Sequence, residues 1–348
     1  MNSSEIAKLA GVSRSTVSRV VNGYTNVPPA TKERVMEIIR KYGYTPNNSA
    51  RNLAGKPSRV IGLFFIAMEQ QEKGIIHSSP FFSEFLVFFA DKLQNYGYQL
   101  LVSVISSRAH MKNMEAMFAE QMISGGVFMG DLLPLEELES LSNARSKCML
   151  INQRESCDLE HILILNTENY RAAYDAVKAL VDLGHTRIGH IAGEQLKAST
   201  TERLKGYYDC LHDAGIIYDP RLIVHAKMHQ EENGFLAMQQ LMQQCEGQYP
   251  SALFCCNDLM AIGAMRYLEQ KGIRVPQDIS VMGYDNSEMS RYTKPPLSTI
   301  ATSVEKLAVL ACDTLIHYIE TGNYAPEEKT QMVREYQVVL RESVCKYG

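Results

Sequence analysis

Over the first 45 residues the apolar positions recur at helical spacing in three short runs. Ile6, Leu9 and Ala10 share one face of the first run, and Asn2-Ser3-Ser4-Glu5 ahead of it has the form of a capping box, with Asn2 as cap. Gly11-Val12 predicts a tight turn and Ser13 a second cap. Val17, Val20 and Val21 then form the buried face of a second helix that stops near Asn22-Gly23. Pro29 suits the first turn of a third helix, whose Val35, Ile38, Ile39 and Tyr42 keep the period until Gly43 ends it. Two short helices joined by a glycine-containing turn and braced by a third predict a helix-turn-helix.

From Arg59 onward the pattern changes to short apolar runs alternating with amphipathic stretches. The runs are Val60–Ile66, Gln99–Ile105, Gly126–Met129, Cys148–Ile151, Ile162–Leu165, Arg187–Ile191, Leu222–Ala226, Ala252–Cys255 and Ile279–Tyr284. Helical stretches at Tyr170–Leu183, Glu202–Ala214, Phe235–Gln243 and Leu259–Lys271 lie between the later ones. Such alternation predicts parallel sheets covered by helices on both faces, in two lobes with a cleft between them. The expected fold is therefore an all-α helix-turn-helix head on an α/β two-lobed body. We expect a head at 1–45, a hinge and linker at 46–58 and a body at 59–348. Within the body, one lobe spans about 59–160 and 290–322 and the other about 161–289 and 323–341.

A chain of 348 residues, 45% apolar, has material for two or three domains. No run approaches the roughly 20 apolar residues of a membrane span, and the N-terminus lacks an export signal, so a cytoplasmic protein is expected. Eight scattered cysteines form no CxxC pair and no histidine cluster has zinc-ligand spacing, so neither a metal nor a cofactor is expected. The net charge of −4 hides an asymmetry: residues 1–59 carry ten Lys or Arg against three acids, and the remainder 25 against 36. A basic head on an acidic body suits a polyanion partner for the head alone.

Arg14, Ser15, Thr16, Ser18 and Arg19 lie opposite the valine face of the second helix, where a helix-turn-helix presents side chains to base edges in the major groove. Asn47 to Ala54 is long enough for two helical turns and too short to hold them alone, so folding on DNA is expected there. Leu53, apolar at the end of a basic segment, either wedges into the minor groove or packs on the neighbouring domain or a dimer mate.

GVSRSTVSRVVN followed by YGYTPNNSARNLAGK resembles the lactose-repressor (LacI/GalR) family of bacterial transcriptional regulators. The resemblance continues through GHTRIGHIAG, ERLKGY, CCNDLMAIGAM, RVPQDISVMGYDN and PPLSTI, and so covers nearly the whole chain. It implies a regulator, a repressor by expectation, whose dimer binds a palindromic operator and whose periplasmic-binding-protein-like body holds a small effector. By the same resemblance Arg14, Ser15 and Arg19 match major-groove readers, Ala50 and Arg51 the minor-groove hinge, and Leu53 the intercalating lever. Asn47 opens that hinge.

In the body, polar residues follow strand ends: Asn257-Asp258, Asp285-Asn286 and the stretch Gly193 to Arg203. Carboxylates, amides and a guanidinium together suit the adjacent hydroxyls of a sugar, and Phe81-Phe82 an apolar wall. Asp258 and Asp285 can instead cap the next helix, Arg203 can be a surface ion pair, and both phenylalanines can be core. The resemblance makes Asp285 and Arg203 the foremost effector contacts, with Asn257, Phe81 and Phe82 next and Lys197, Ser199, His229 and Asn152 at other cleft positions. It also shows departures. Pro28-Pro29 replaces a Ser or Thr cap, His229 stands where an aromatic ring is frequent, Asn152-Gln153-Arg154 where an acid is common, and Met68–Ser79 is a long connection. A sugar or sugar phosphate is the expected effector; a nucleoside, a purine or a partner protein is the alternative. No GxGxxG, GxxxxGK[ST], GxSxG or HExxH occurs, so an enzyme has no constellation to rest on, and a free solute-binding protein is opposed by the basic head. The chain lacks an appended C-terminal heptad segment, so a dimer is expected rather than a tetramer.

Overall fold

A computed structural model describes residues 2–21, 24, 26–43, 58–68, 79–153, 156–195 and 197–348, which divide into two compact units, 1–58 and 59–348. The head holds α1 (Ser3–Ala10), α2 (Arg14–Val21) and α3 (Pro29–Tyr42). Asn2 Oδ1 accepts from the Ser4 and Glu5 amides at 3.0 Å each, and Glu5 Oε2 accepts from the Asn2 amide at 2.9 Å, completing the capping box. Gly11 turns the chain in the left-handed region at φ 60°, and Ser13 Oγ accepts from the Thr16 amide at 3.1 Å at the start of α2. Pro28 gives α3 no side-chain cap, while Pro29 occupies its first turn, where a missing N–H costs nothing.

Ile6, Ala7, Ala10, Val17, Val20, Val27 and Val35 make the head's core. The periodicity over-assigns this core. Leu9 and Tyr42 are exposed, and Val21, Ile38 and Ile39 only flank it. So small a unit has no layer to cover the outer edge of each apolar stripe.

The body begins with β1 (Val60–Ile66), α4 (Pro80–Asn95), β2 (Gln99–Ile105), α5 (Arg108–Ala119), β3 (Gly125–Gly130), α6 (Leu135–Asn143), β4 (Cys148–Ile151) and β5 (Ile162–Thr167). It continues through α7 (Asn169–Asp182), β6 (Ile188–Ala192), α8 (Ala198–Asp213), β7 (Ile223–His225), α9 (Glu231–Gln244), β8 (Ala252–Cys255), α10 (Asp258–Gln270) and β9 (Ser280–Met282). It closes with β10 (Thr299–Thr302), α11 (Val304–Thr321), β11 (Thr330–Val333) and β12 (Tyr336–Val339). Six parallel strands in the order β11-β5-β4-β3-β1-β2 form the first sheet, with α4 and α11 packed on one face and α5 and α6 on the other. Four parallel strands in the order β7-β6-β8-β9 form the second, with α9 and α10 on one face and α7 and α8 on the other. Helices α9 and α10 approach so closely that a Cβ on Gly263 would lie 1.9 Å from the Glu231 carbonyl oxygen.

The lobe limits differ from those expected. Ile162–Thr167 and Thr330–Val333, expected in the second lobe, are strands of the first sheet. Thr299–Thr302, expected in the first, pairs antiparallel with β12 and continues the second lobe through the Met282–Ser298 and Asp285–Ala301 bridges. The chain thus crosses between lobes three times, after β5, β10 and β11. An apolar run records that a strand is buried and carries no mark of which sheet buries it. Among the described residues no helix is long and apolar enough to cross a membrane.

Candidate functional site

On the head, Val17 and Val20 turn inward and Arg14, Ser15, Ser18 and Arg19 stand exposed on the opposite face of α2, with Thr16 half-buried. Arg14 Nε donates to Ser3 Oγ at 3.0 Å, and Ser15 and Thr16 hydroxyls lie 2.7 and 2.9 Å from Ser13 Oγ. The face is thereby pre-ordered at its N-terminal end, the end that meets bases in this motif. Asn47, Ala50, Arg51 and Leu53 lie outside the described residues, as do Asn22-Gly23, Arg154 and most of Met68–Ser79.

In the body, one cavity of about 140 Å³ opens at the carboxyl ends of the strands of both sheets. The first lobe contributes Phe65 from β1, Ser79, Phe81 and Phe82 at the start of α4, Met129 and Gly130 from β3, Ile151 at the end of β4 and Asn152 just after it. From the second come Glu194 after β6, Lys197, Ser199 and Arg203 around the start of α8, Met228, His229 and Gln230 before α9, Asn257 after β8 and Asp285 after β9. All nine cleft residues singled out from the sequence line this one space. Open α/β sheets form their ligand crevices at such strand ends.

Arg203 is buried, its guanidinium 3.5 Å over the Tyr284 ring. Its Nε donates to Asn169 Oδ1 at 2.9 Å, a second nitrogen donates to the Cys256 carbonyl, and a third lies 3.9 Å from Asp285 Oδ1. Burial pushes the Asp285 carboxyl up to about 7, with Arg203 pulling the other way. Asp285 sits at φ 107°, a strained setting for a residue with a Cβ. Behind it, buried Asp258 holds the loop that imposes this conformation. Its carboxylate accepts from the Ser287 amide at 2.7 Å, the Ser287 hydroxyl at 3.0 Å and the Thr299 hydroxyl at 2.6 Å, while Thr299 Oγ1 accepts from the Asn286 amide at 3.1 Å. Burial raises Asp258 to about 6 against these donors. The helix cap proper is Asn257, whose Oδ1 accepts from the Met260 amide at 2.8 Å and whose Nδ2 donates to the His229 carbonyl at 3.1 Å.

Asn152, at φ 52°, accepts from the Thr167 amide and hydroxyl at 2.7 and 3.1 Å, so neither bond uses its amide nitrogen. Lys197 Nζ lies 3.1 Å from Glu194 and 3.7 Å from Asp131, the latter carried by the opposite lobe. His229 places Nδ1 3.5 Å from Glu194 and Nε2 3.8 Å from Cys256 Sγ. Burial opposes a charge on His229, yet Cys256 and Glu194 outweigh it and raise its pKa. Phe82 meets Phe65 edge-on with centroids 4.0 Å apart and belongs mainly to the core, leaving Phe81 as the more open ring. Phe65, Asp131, Glu194, Met228 and Gln230 escape sequence reasoning. Asp131 and Glu194 leave a signal, as acids just past the ends of β3 and β6, and Glu194 lies within the Gly193 to Arg203 stretch.

The model of bacterial regulatory proteins of the lacI family matches residues 4–47, and that of the periplasmic-binding-protein-like domain residues 177–344. A ribose operon repressor of Haemophilus influenzae is 35% identical, over 98% of this chain and 97% of its own. The HTH-type transcriptional repressor PurR of Pasteurella multocida is 31% identical over the same shares of the two chains. Among solved structures, the lac repressor dimer bound to operator and an anti-inducer is similar at TM-score 0.83 and 26% identity, over 99% of each chain. A transcriptional regulator CelR–cellobiose complex is similar at TM-score 0.74 and 27% identity, again over 99% of each chain. The chain belongs to the lacI family of bacterial regulatory proteins.

Proposed function

We propose that this repressor is controlled by a single-ring sugar held between the lobes of its body. The coarser statement needs no proposal: the chain is a DNA-binding repressor of the lacI family. That it acts as a dimer on operator DNA under a small effector is part of the proposal, supported by the likeness to the lac repressor dimer bound to operator and an anti-inducer. The observation carrying the sugar reading is the convergence of Asp285, Arg203, Asn152 and Asn257 on one cavity with Phe81 beside them. A carboxylate and a guanidinium held side by side accept from and donate to neighbouring ring hydroxyls. One water needs about 10–15 Å³ of the same kind of space, so about 140 Å³ suits roughly ten water-sized groups, the scale of one ring rather than a polymer. The name of the ribose operon repressor supports the same class.

On the head we assign base contacts to Arg14, Ser15, Thr16, Ser18 and Arg19, and hinge contacts to Asn47, Ala50, Arg51 and Leu53. Calorimetric titration of the full chain with ribose, other pentoses and hexoses, purines and nucleosides tests the effector. A sugar whose binding shifts operator affinity supports the reading. Binding of a purine alone replaces it with the nucleobase class, to which the PurR relatives and the phenylalanine wall point. For the hinge, Leu53→Ala should weaken operator binding while leaving ligand titrations as they were, and undiminished operator affinity removes Leu53 from the wedge role.

A further inference from the structure

We propose that Glu194 and Asp131 are specificity residues that make the cleft refuse phosphorylated ligands, so that the effector is an unphosphorylated sugar. The proposal deepens the sugar reading and rests on it for the identity of the ring, but not for the exclusion of anions. Three cation-forming side chains line the cavity, and each would attract a phosphoryl group if its charge were open to it: Lys197, Arg203 and His229. None is open. Lys197 lies between Glu194 at 3.1 Å and Asp131 at 3.7 Å, and its side chain keeps only 18% exposure. Arg203 commits one donor to Asn169 and one to the Cys256 carbonyl, lies 3.9 Å from the Asp285 carboxyl and has one face covered by Tyr284, so its charge is already faced by an acid while its remaining N–H groups stay available to hydroxyls. The third, His229, faces Glu194 through Nδ1.

Lys197 is thus met by the carboxylates of Glu194, on the cavity wall, and Asp131, behind it, while Arg203 faces Asp285, whose carboxyl burial lifts to about 7. A phosphate dianion must displace a carboxylate from its cation or sit beside it. In a water-poor cleft a like-charge contact at about 4 Å is far more repulsive than in bulk water. Hydroxyl groups meet the opposite situation, since carboxylates and paired cations offer acceptors and donors without asking for net charge. The N-terminus of α8, which also opens on the cavity, is the feature that would favour an anion. Glu194, three residues before Lys197 at that terminus, already supplies the negative charge it favours.

The test uses the full chain with three probes: ribose, ribose 5-phosphate and inorganic phosphate. Wild-type protein should bind ribose at least about tenfold more tightly than ribose 5-phosphate and show no thermal shift with inorganic phosphate, whereas Asp131→Asn with Glu194→Gln should acquire a phosphate-dependent shift. Glu194→Gln alone, which keeps a hydrogen-bonding partner beside His229, should gain part of it. If the double variant misfolds, the single variant and the wild-type comparison still decide. Equal wild-type affinity for ribose and its phosphate overturns the proposal, and so do variants that remain blind to phosphate. Should ribose fail to bind while the variants gain phosphate binding, the sugar assignment falls and the exclusion stands.

Discussion

Replacing Asp285 by Asn keeps the shape of the side chain and removes its charge, which isolates what the carboxylate does. Burial lifts its pKa to about 7, and Arg203 at 3.9 Å recovers part of the cost of ionisation. Asp258, Cys256 and His229 are the other charge-bearing groups around it. Each pKa unit is worth ~1.4 kcal/mol, so a lift of about three units is about 4 kcal/mol, which a side chain still 19% exposed reduces to about 2–3 kcal/mol. The folded pKa stands above the unfolded one. Stability from the neutral form is therefore complete below pH ~4 and is lost progressively as pH rises through about 7. Without ligand, Asp285→Asn should resist urea better than wild type at pH 8, and the advantage should shrink steadily towards pH 5. With sugar the order reverses. Hydrogen bonds to a charged acceptor contribute about 1.5–3 kcal/mol each, so two hydroxyls on Asp285 predict affinity about a hundredfold weaker in the Asn variant. Because hydroxyl donors favour the ionised carboxylate, wild-type affinity should rise with pH up to about 7 and then level, while the Asn variant stays flat. Urea melts and calorimetric titrations at pH 5.5, 7 and 8.5 read both effects. An Asn variant that binds sugar within threefold of wild type, or a wild-type affinity indifferent to pH, would refute the reasoning.

Asp258→Ala leaves the Ser287 amide, the Ser287 hydroxyl and the Thr299 hydroxyl without their buried acceptor, and should lose about 2–3 kcal/mol in urea melts after release from the carboxylate's own burial cost is counted. Asp258→Asn should lose roughly half of that, and an Ala variant as stable as wild type would show that the loop needs no anchor. Gly263→Ala drives a methyl against the Glu231 carbonyl, and a loss of roughly 1–3 kcal/mol is expected from the same melts; an unchanged midpoint would mean that α9 and α10 move apart freely. Arg19→Ala should weaken operator binding by about 1–3 kcal/mol in gel-shift titrations and leave calorimetric sugar binding untouched, whereas equal operator affinity would take Arg19 out of the reading face.

Much of this was legible in the chain because the relevant physics is local. Asn2 and Glu5 announce a capping box that forms bond for bond, and runs such as Val60–Ile66 and Ala252–Cys255 become strands with those limits. Asn257, Asp285 and the stretch Gly193 to Arg203 could be marked as lining a cleft because polar side chains after buried strands have one place to go, whereas Asn152 and His229 were marked only by the family resemblance. Non-local pairing was not legible. Thr330–Val333 reads as a short mixed segment, yet it pairs with Ile164–Thr167 across nearly half the chain. Asp258 is one step past a cap residue, and only the fold brings Ser287 and Thr299 to its carboxylate. Asp131 follows a strand of the first lobe and meets Lys197 of the second, a contact that exists only because the lobes face each other.

That last contact bears on how the cleft can act. A ligand shifts a conformational balance only by as much as it prefers one arrangement of the lobes over the other. In this body the preference has a structural origin, since the two lobes line one cavity and already share the Lys197–Asp131 pair across it. Three strand crossings tie the lobes together, after Thr167, Thr302 and Val333, so their relative motion is confined to a few backbone positions. A sugar that satisfies Asn152 on one side and Asp285 and Arg203 on the other adds contacts available only when the cleft is closed. An isolated contact to either lobe would raise affinity and transmit nothing. The residues that matter for control are therefore those facing a partner on the opposite lobe, and Asp131→Asn should loosen the empty cleft without touching Asp285 and Arg203.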